Sequence, residues 1–177
     1  MDVDKALQDF QLLEAAAVGP QVLAIGECGL DRICATSMPL QVHWFRRQLS
    51  LAEQLRKPII IHCVRTYDEV HHILKEEQVT VPVVFHGFRK GVDLAHRILD
   101  AGSMLSFGWH PSQLPVGEVF CAMPIVRIFL ETDDTAADID AVYASAASLR
   151  GLRLEDLAAS AWATALSVFG EILTTYG

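Results

Sequence analysis

Apolar residues recur at two different spacings along this chain, and the two alternate. Over 3–17, Val3, Ala6, Leu7, Phe10, Leu13 and Ala17 fall on one helical face, and Gly19-Pro20 stops the pattern. Asp2 or Asp4 is expected to cap the start. The run at 22–25 then reads as a strand leading into Glu27, giving strand one at 22–27. Pro39 suits the first turn of a helix whose broad apolar face carries Leu40, Trp44, Phe45, Leu49, Ala52 and Leu55. Arg56-Lys57 closes it at the negative end of its dipole. A second strand is expected at 58–63. Thr66-Tyr67-Asp68-Glu69 is a capping-box pattern for a helix bearing Val70, Ile73 and Leu74. Further strands are expected at 83–88, 104–108 and 127–132. A helix over 93–101 separates the first two of these, and a proline-containing loop over 108–124 precedes the last. Two helical stretches, near 138–149 and 154–169, follow it. Such alternation predicts an α/β fold of about five parallel strands in sequential order, with outer helices and right-handed crossovers.

Four of the apolar runs end on, or lead towards, an ionisable residue. These are Glu27, His62, His86 and Asp133. Neighbouring side chains of a strand point to opposite faces, so His62 opposes Ile61 and Cys63, and His86 opposes Phe85 and Gly87. One histidine at a strand end is ordinarily a packing residue. Four chemical groups at the carboxyl ends of four parallel strands argue for a shared site at one face of the sheet. Two carboxylates and two imidazoles suit a divalent ion such as zinc, manganese or magnesium, or a pair of ions, able to activate water and clamp a phosphoryl group. His43, His71, His72 and His96 lie on expected helices and read as solvated. His110 reads as a loop residue, and Cys28 and Cys63 as packing residues. Arg65 and Arg89, three residues after His62 and His86, read equally well as phosphate contacts or as solvated loop arginines. Asp31 reads as a loop anchor, and Glu131, sharing the parity of Asp133, as a supporting acid.

Composition narrows the picture. The chain has 177 residues, half of them hydrophobic, which suits one domain with a sizeable core. Its formal charge is −8, from 14 basic and 22 acidic residues. That field gives no long-range attraction to nucleic acid or anionic lipid, although bound metal ions reverse the local sign. Four cysteines without a Cys-x-x-Cys pair read as reduced, hence cytoplasmic. No signal peptide and no membrane span are expected.

At these residues the chain resembles the TatD family of metal-dependent hydrolases. The matching segments are Ala24-Ile-Gly-Glu-Cys-Gly-Leu-Asp31, the Gln-x-x-x-Phe beginning at Gln41, and Pro58-Ile-Ile-Ile-His-Cys63. They continue with Phe85-His-Gly-Phe88, Leu105-Ser-Phe-Gly108 and Leu130-Glu-Thr-Asp133, in family order. The resemblance implies a TIM-type barrel, two divalent metals and phosphodiester hydrolysis, commonly as a deoxyribonuclease. By that resemblance Glu27 bridges the metals, His62 and His86 hold one, and Asp133 completes the other, serving as ligand or base. Family members also carry a His-x-His strand and a later His-Pro, and neither stands before Glu27. The expectation is therefore a single domain over 1–177 that lacks the amino-terminal third of the family barrel. Its open strand edges are expected to favour self-association. The alternative function is a catalytically impaired metal-binding remnant or a self-associating binding module.

Overall fold

The computed structural model describes residues 3–108 and 116–170 in two compact units, the first ending at Pro82 and the second beginning at Val83. The first unit runs α1 (Val3–Ala17), β1 (Ile25–Asp31), α2 (Met38–Leu55), β2 (Ile59–Val64) and α3 (Tyr67–Glu76). The second runs β3 (Val83–Phe85), α4 (Val92–Asp100), β4 (Met104–Phe107), α5 (Val116–Ala122), β5 (Ile128–Leu130), α6 (Ile139–Arg150) and α7 (Leu154–Phe169). β1 pairs with β2, β3 with β4, and β4 with β5, all parallel. The α/β expectation therefore holds, with strands and helices alternating in the anticipated order.

Several boundaries differ from expectation. β1 does not stop at Glu27 but continues to Asp31. β3 ends at Phe85, one residue before His86. The loop expected over 108–124 contains α5, whose Val119 and Phe120 are buried. His110 and Asp2 lie outside the described residues, and the side chain of Asp4 is likewise undescribed. The helix histidines His43, His71, His72 and His96 are exposed, as expected. Among the described residues, no helix is long and apolar enough to cross a membrane.

In the first unit, Ile25, Leu30, Phe45, Leu49, Ile59, Ile61, Val70 and Ile73 form the buried interior. Two polar residues tie its elements together in ways that local sequence rules do not anticipate. Thr66 precedes α3 but makes no side-chain cap. Its hydroxyl instead donates to the Leu30 carbonyl at 2.7 Å, joining the end of β1 to the loop after β2. Lys57 does not serve the end of α2. It is buried, and its ammonium donates to the carbonyls of Ala17 and Gly19, closing the carboxyl end of α1.

Glu53 on α2 holds the turn that leads out of α3. Its carboxylate accepts from the Thr80 N–H, from the Thr80 hydroxyl at 2.8 Å and from the Val81 N–H at 2.9 Å. Burial opposes ionisation, but the donors of Val81 and Thr80 outweigh it and hold the group below its ordinary value of 4.5. A depressed folded pKa adds stability above the unfolded value, and that stability is lost as the pH falls through the folded one. Glu53→Gln is therefore expected to cost about 1 kcal/mol at pH 7, a figure already reduced for solvent screening. In urea titrations the difference from the parent protein should shrink towards zero below pH 4.5. An equal cost at pH 3 and pH 7 would show that charge is not what Glu53 contributes.

In the second unit the Phe88, Phe107 and Phe120 rings stack edge to face at 5.9 and 5.5 Å. Arg127, just before β5, donates to the carbonyls of Leu99 in α4 and Ser103 just before β4, at 3.2 and 2.7 Å. Leu157 and Val168 of α7 and Val142 and Ala146 of α6 are also buried.

Candidate metal centre

Glu27 lies on a bulge, not at a strand end. Between the pairs Ile25↔Ile59 and Cys28↔Ile61 the strand β1 advances three residues while β2 advances two. The extra residue falls at Gly26-Glu27 and turns Glu27 out to an exposed position, as bulges beside functional sites do. Glycine is required here by space. A Cβ on Gly26 would stand 2.7 Å from the Ile60 Cβ, and one on Gly29 would stand 2.0 Å from the His62 carbonyl oxygen. The next residue, Cys28, turns inward. Burial, and then the neighbouring Glu27 charge, push its thiol up to about 12, so it is a packing residue.

His62 sits within β2, where Ile59 and Ile61 point into the core and His62 takes the opposite face. Its imidazole is 40% exposed, and its Nε2 lies 3.4 Å from an oxygen of Asp31. The strand extension thus gives Asp31 a partner beyond the loop. Asp31 also anchors that loop as expected, accepting from the Ile33 N–H at 2.8 Å. The Ile33 N–H is the main reason its carboxyl sits below the usual range; partial burial opposes it, and the His62 ring and the Cys34 N–H add to the lowering. Gln41 fixes the same strand end from α2. Its amide oxygen accepts the Asp31 N–H at 2.7 Å, while its nitrogen donates to the carbonyls of Asp31 and Thr36 at 2.9 and 2.7 Å. A cavity of about 830 Å³ opens between α1, β1 and α2 and reaches both Glu27 and His62; Phe10, Trp44 and Phe45 form its apolar wall.

In the second unit, His86 follows β3 and its side chain is only 9% exposed. Its Nδ1 lies 3.8 Å from Glu131, within ion-pair reach though long for a hydrogen bond. Glu131 follows β5 and accepts from the Gly87 N–H at 2.6 Å and from the Ser106 hydroxyl. Burial pushes its carboxyl upward, but the His86 ring, the Ser106 hydroxyl and the Gly87 N–H together hold it below the usual range. Asp133 stands two residues further on, exposed, with a left-handed backbone (φ 51°) in the turn after β5. Arg65 and Arg89 are exposed. The Arg65 carbonyl accepts from the Arg32 guanidinium, which also pairs with Glu69.

Each proposed imidazole ligand therefore has a carboxylate of its own unit beside one ring nitrogen. Such pairing orients metal-binding histidines and raises their basicity. The donor set is carboxylate oxygen and imidazole nitrogen, and it fits a divalent ion of the zinc or manganese kind.

Comparison with known proteins agrees with this chemistry. The family model for TatD related DNase matches residues 1–170. A 3'-5' ssDNA/RNA exonuclease TatD of Klebsiella pneumoniae is 32% identical over 174 residues, covering 85% of this chain and 66% of that protein. An uncharacterized metal-dependent hydrolase of Bacillus subtilis, YabD, is 32% identical over 137 residues, covering 74% of this chain and 53% of its own length. The chain spans about half to two thirds of the curated relatives it matches. Among solved structures, the TatD homologue YJJV of Escherichia coli is 25% identical, with a TM-score of 0.77 over 88% of this chain and 68% of that one. A TatD family hydrolase of Entamoeba histolytica, 18% identical, shares the fold with a TM-score of 0.81 over 93% of this chain and 68% of its own.

Proposed function

Since the chain belongs to the TatD-related DNase family, we propose that it is a divalent-metal-dependent hydrolase of phosphodiester bonds in single-stranded nucleic acid. Glu27, His62 and His86 supply one carboxylate and two imidazoles as the ligand set, and Asp133 acts as a further ligand or proton acceptor. The observation that carries this reading is the carboxylate partner beside each histidine: Asp31 at His62 and Glu131 at His86. A bound ion of this class supplies a water acidic enough to attack near neutral pH and neutralises charge on the phosphoryl oxygens. The chain's own groups do the rest. Asp31 and Glu131 hold the two rings in place, and Asp133, exposed on its turn, is free to meet solvent and receive a proton. The names of several relatives, among them a human 3'-5' RNA nuclease, support the nucleic-acid substrate. The four free cysteines support a reducing, cytoplasmic setting.

The net charge of −8 adds a kinetic expectation. With no long-range attraction for a polyanion, capture of substrate should depend on the loaded metal centre. The test is cleavage of an end-labelled single-stranded oligonucleotide with magnesium, manganese or zinc, beside the same assay in chelator. Metal-dependent cleavage that disappears in Glu27→Ala is the expected result. Full cleavage in chelator, or undiminished cleavage by Glu27→Ala, would overturn the assignment.

A further inference from the structure

We propose that Glu131 is a positioning residue that fixes which nitrogen of His86 faces the metal. The inference rests on the assignment of His86 as a ligand and adds the residue that orients it. Four contacts within the second unit carry it. The Glu131 backbone is pinned to β4, its N–H donating to the Phe107 carbonyl at 3.0 Å. One carboxylate oxygen accepts the Gly87 N–H at 2.6 Å, and the other accepts the Ser106 hydroxyl. The oxygen that holds Gly87 also faces His86 Nδ1 at 3.8 Å. The Glu131 side chain is only 20% exposed and that of His86 only 9%, so the carboxylate is held where water competes little.

The chemistry follows from what a carboxylate offers. Ionised, it accepts hydrogen bonds and donates none. The ring nitrogen beside it is therefore the one that carries hydrogen, Nδ1, and Nε2 is left as the ligand atom of His86. Gly87 is part of the device. Its positive φ of 60° turns its N–H back onto the carboxylate immediately after the histidine, and Glu131 Oε1 is the atom closest to its missing side chain, 3.8 Å from where a Cβ would stand. A carboxylate needed only for folding would be accounted for by Gly87 and Ser106. The third group it faces is the ring.

The tautomer is read directly by long-range proton–nitrogen correlation spectra of the metal-free protein. His86 is expected as the Nδ1–H form, and the Nε2–H form would overturn the proposal without any variant being made. Zinc affinity, by competition with a chromogenic chelator, gives the second readout. Glu131→Gln keeps an oxygen for Gly87 but removes the charge, and should weaken zinc binding by about 10–100-fold with little change in melting temperature. His86→Ala should weaken it further. If Glu131→Gln binds zinc like the parent while His86→Ala does not, positioning by Glu131 is wrong and the metal assignment stands. If His86→Ala also binds normally, the ligand assignment itself is wrong. Should Glu131→Gln fail to fold, the tautomer of the unmutated protein still decides.

Discussion

Replacing Gly29 with alanine is expected to unfold the first unit or leave it at the edge of stability. Gly29 lies opposite His62 in the β1–β2 ladder, and its backbone has a φ of +145°, a region closed to residues with a side chain. A Cβ there would stand 2.0 Å from the His62 carbonyl oxygen and 3.0 Å from its carbonyl carbon. Both are backbone atoms of the neighbouring strand, so no side chain can swing aside to make room. Relief requires the two strands to part, which breaks ladder hydrogen bonds and opens the interior around Leu30 and Ile61. Adding the overpacking and conformational costs gives at least about 4 kcal/mol, a large part of the roughly 5–15 kcal/mol that holds a domain folded. Gly151, at the end of α6, supplies the contrast. It too has a positive φ, of 63°, but nothing lies within 4 Å of where its Cβ would be. Gly151→Ala should cost only about 1 kcal/mol. Circular dichroism melts of the two variants test the pair; equal melting temperatures would contradict the close approach.

His62→Ala is expected to have the largest effect on function. The substitution removes an imidazole from the proposed ligand set and leaves Asp31 without its ring partner. Losing an orienting neighbour of a ligand costs about 10–100-fold in metal affinity, so losing the ligand itself should cost on the order of 1,000-fold. Metal-dependent cleavage should fall with it to background. His72→Ala is the matched control. His72 sits on the exposed face of α3, 3.1 Å from Glu76 one turn on. Its loss should leave metal binding and cleavage within about twofold of the parent, in keeping with a surface pair worth little. Calorimetric titration with zinc or manganese separates the two variants. Equal affinities would remove His62 from the site.

How far these residues could be read from the chain depends on whether their surroundings are local. His62 and His86 were legible because each follows an apolar run, and period-two alternation fixes the side they face. Glu27 was legible as a candidate but misplaced. Its bulge depends on the register against Ile59 and Ile61, far along the chain, which no local pattern encodes. Asp31 anchors its loop, as its place in the chain suggests, yet its approach to His62 follows from the same distant register. The Thr66 capping box failed for a related reason, since the hydroxyl found the Leu30 carbonyl across the sheet instead of its own helix. α5 was hidden by the prolines on either side, although Val116, Val119, Phe120 and Met123 recur at helical spacing. The Gln41 clamp on the end of β1 left only a faint trace, a polar residue early in an otherwise amphipathic helix.

The buried Lys57 ammonium gives α1 a chemical signature. The chain has four lysines, and the other three, Lys5, Lys75 and Lys90, are exposed. Amine-reactive reagents would modify those three at once. Lys57, held on the carbonyls of Ala17 and Gly19, would react only when the end of α1 lifts away from α2. Its labelling rate is therefore a clock for the detachment of one helix, read at a single atom while the rest of the chain stays folded.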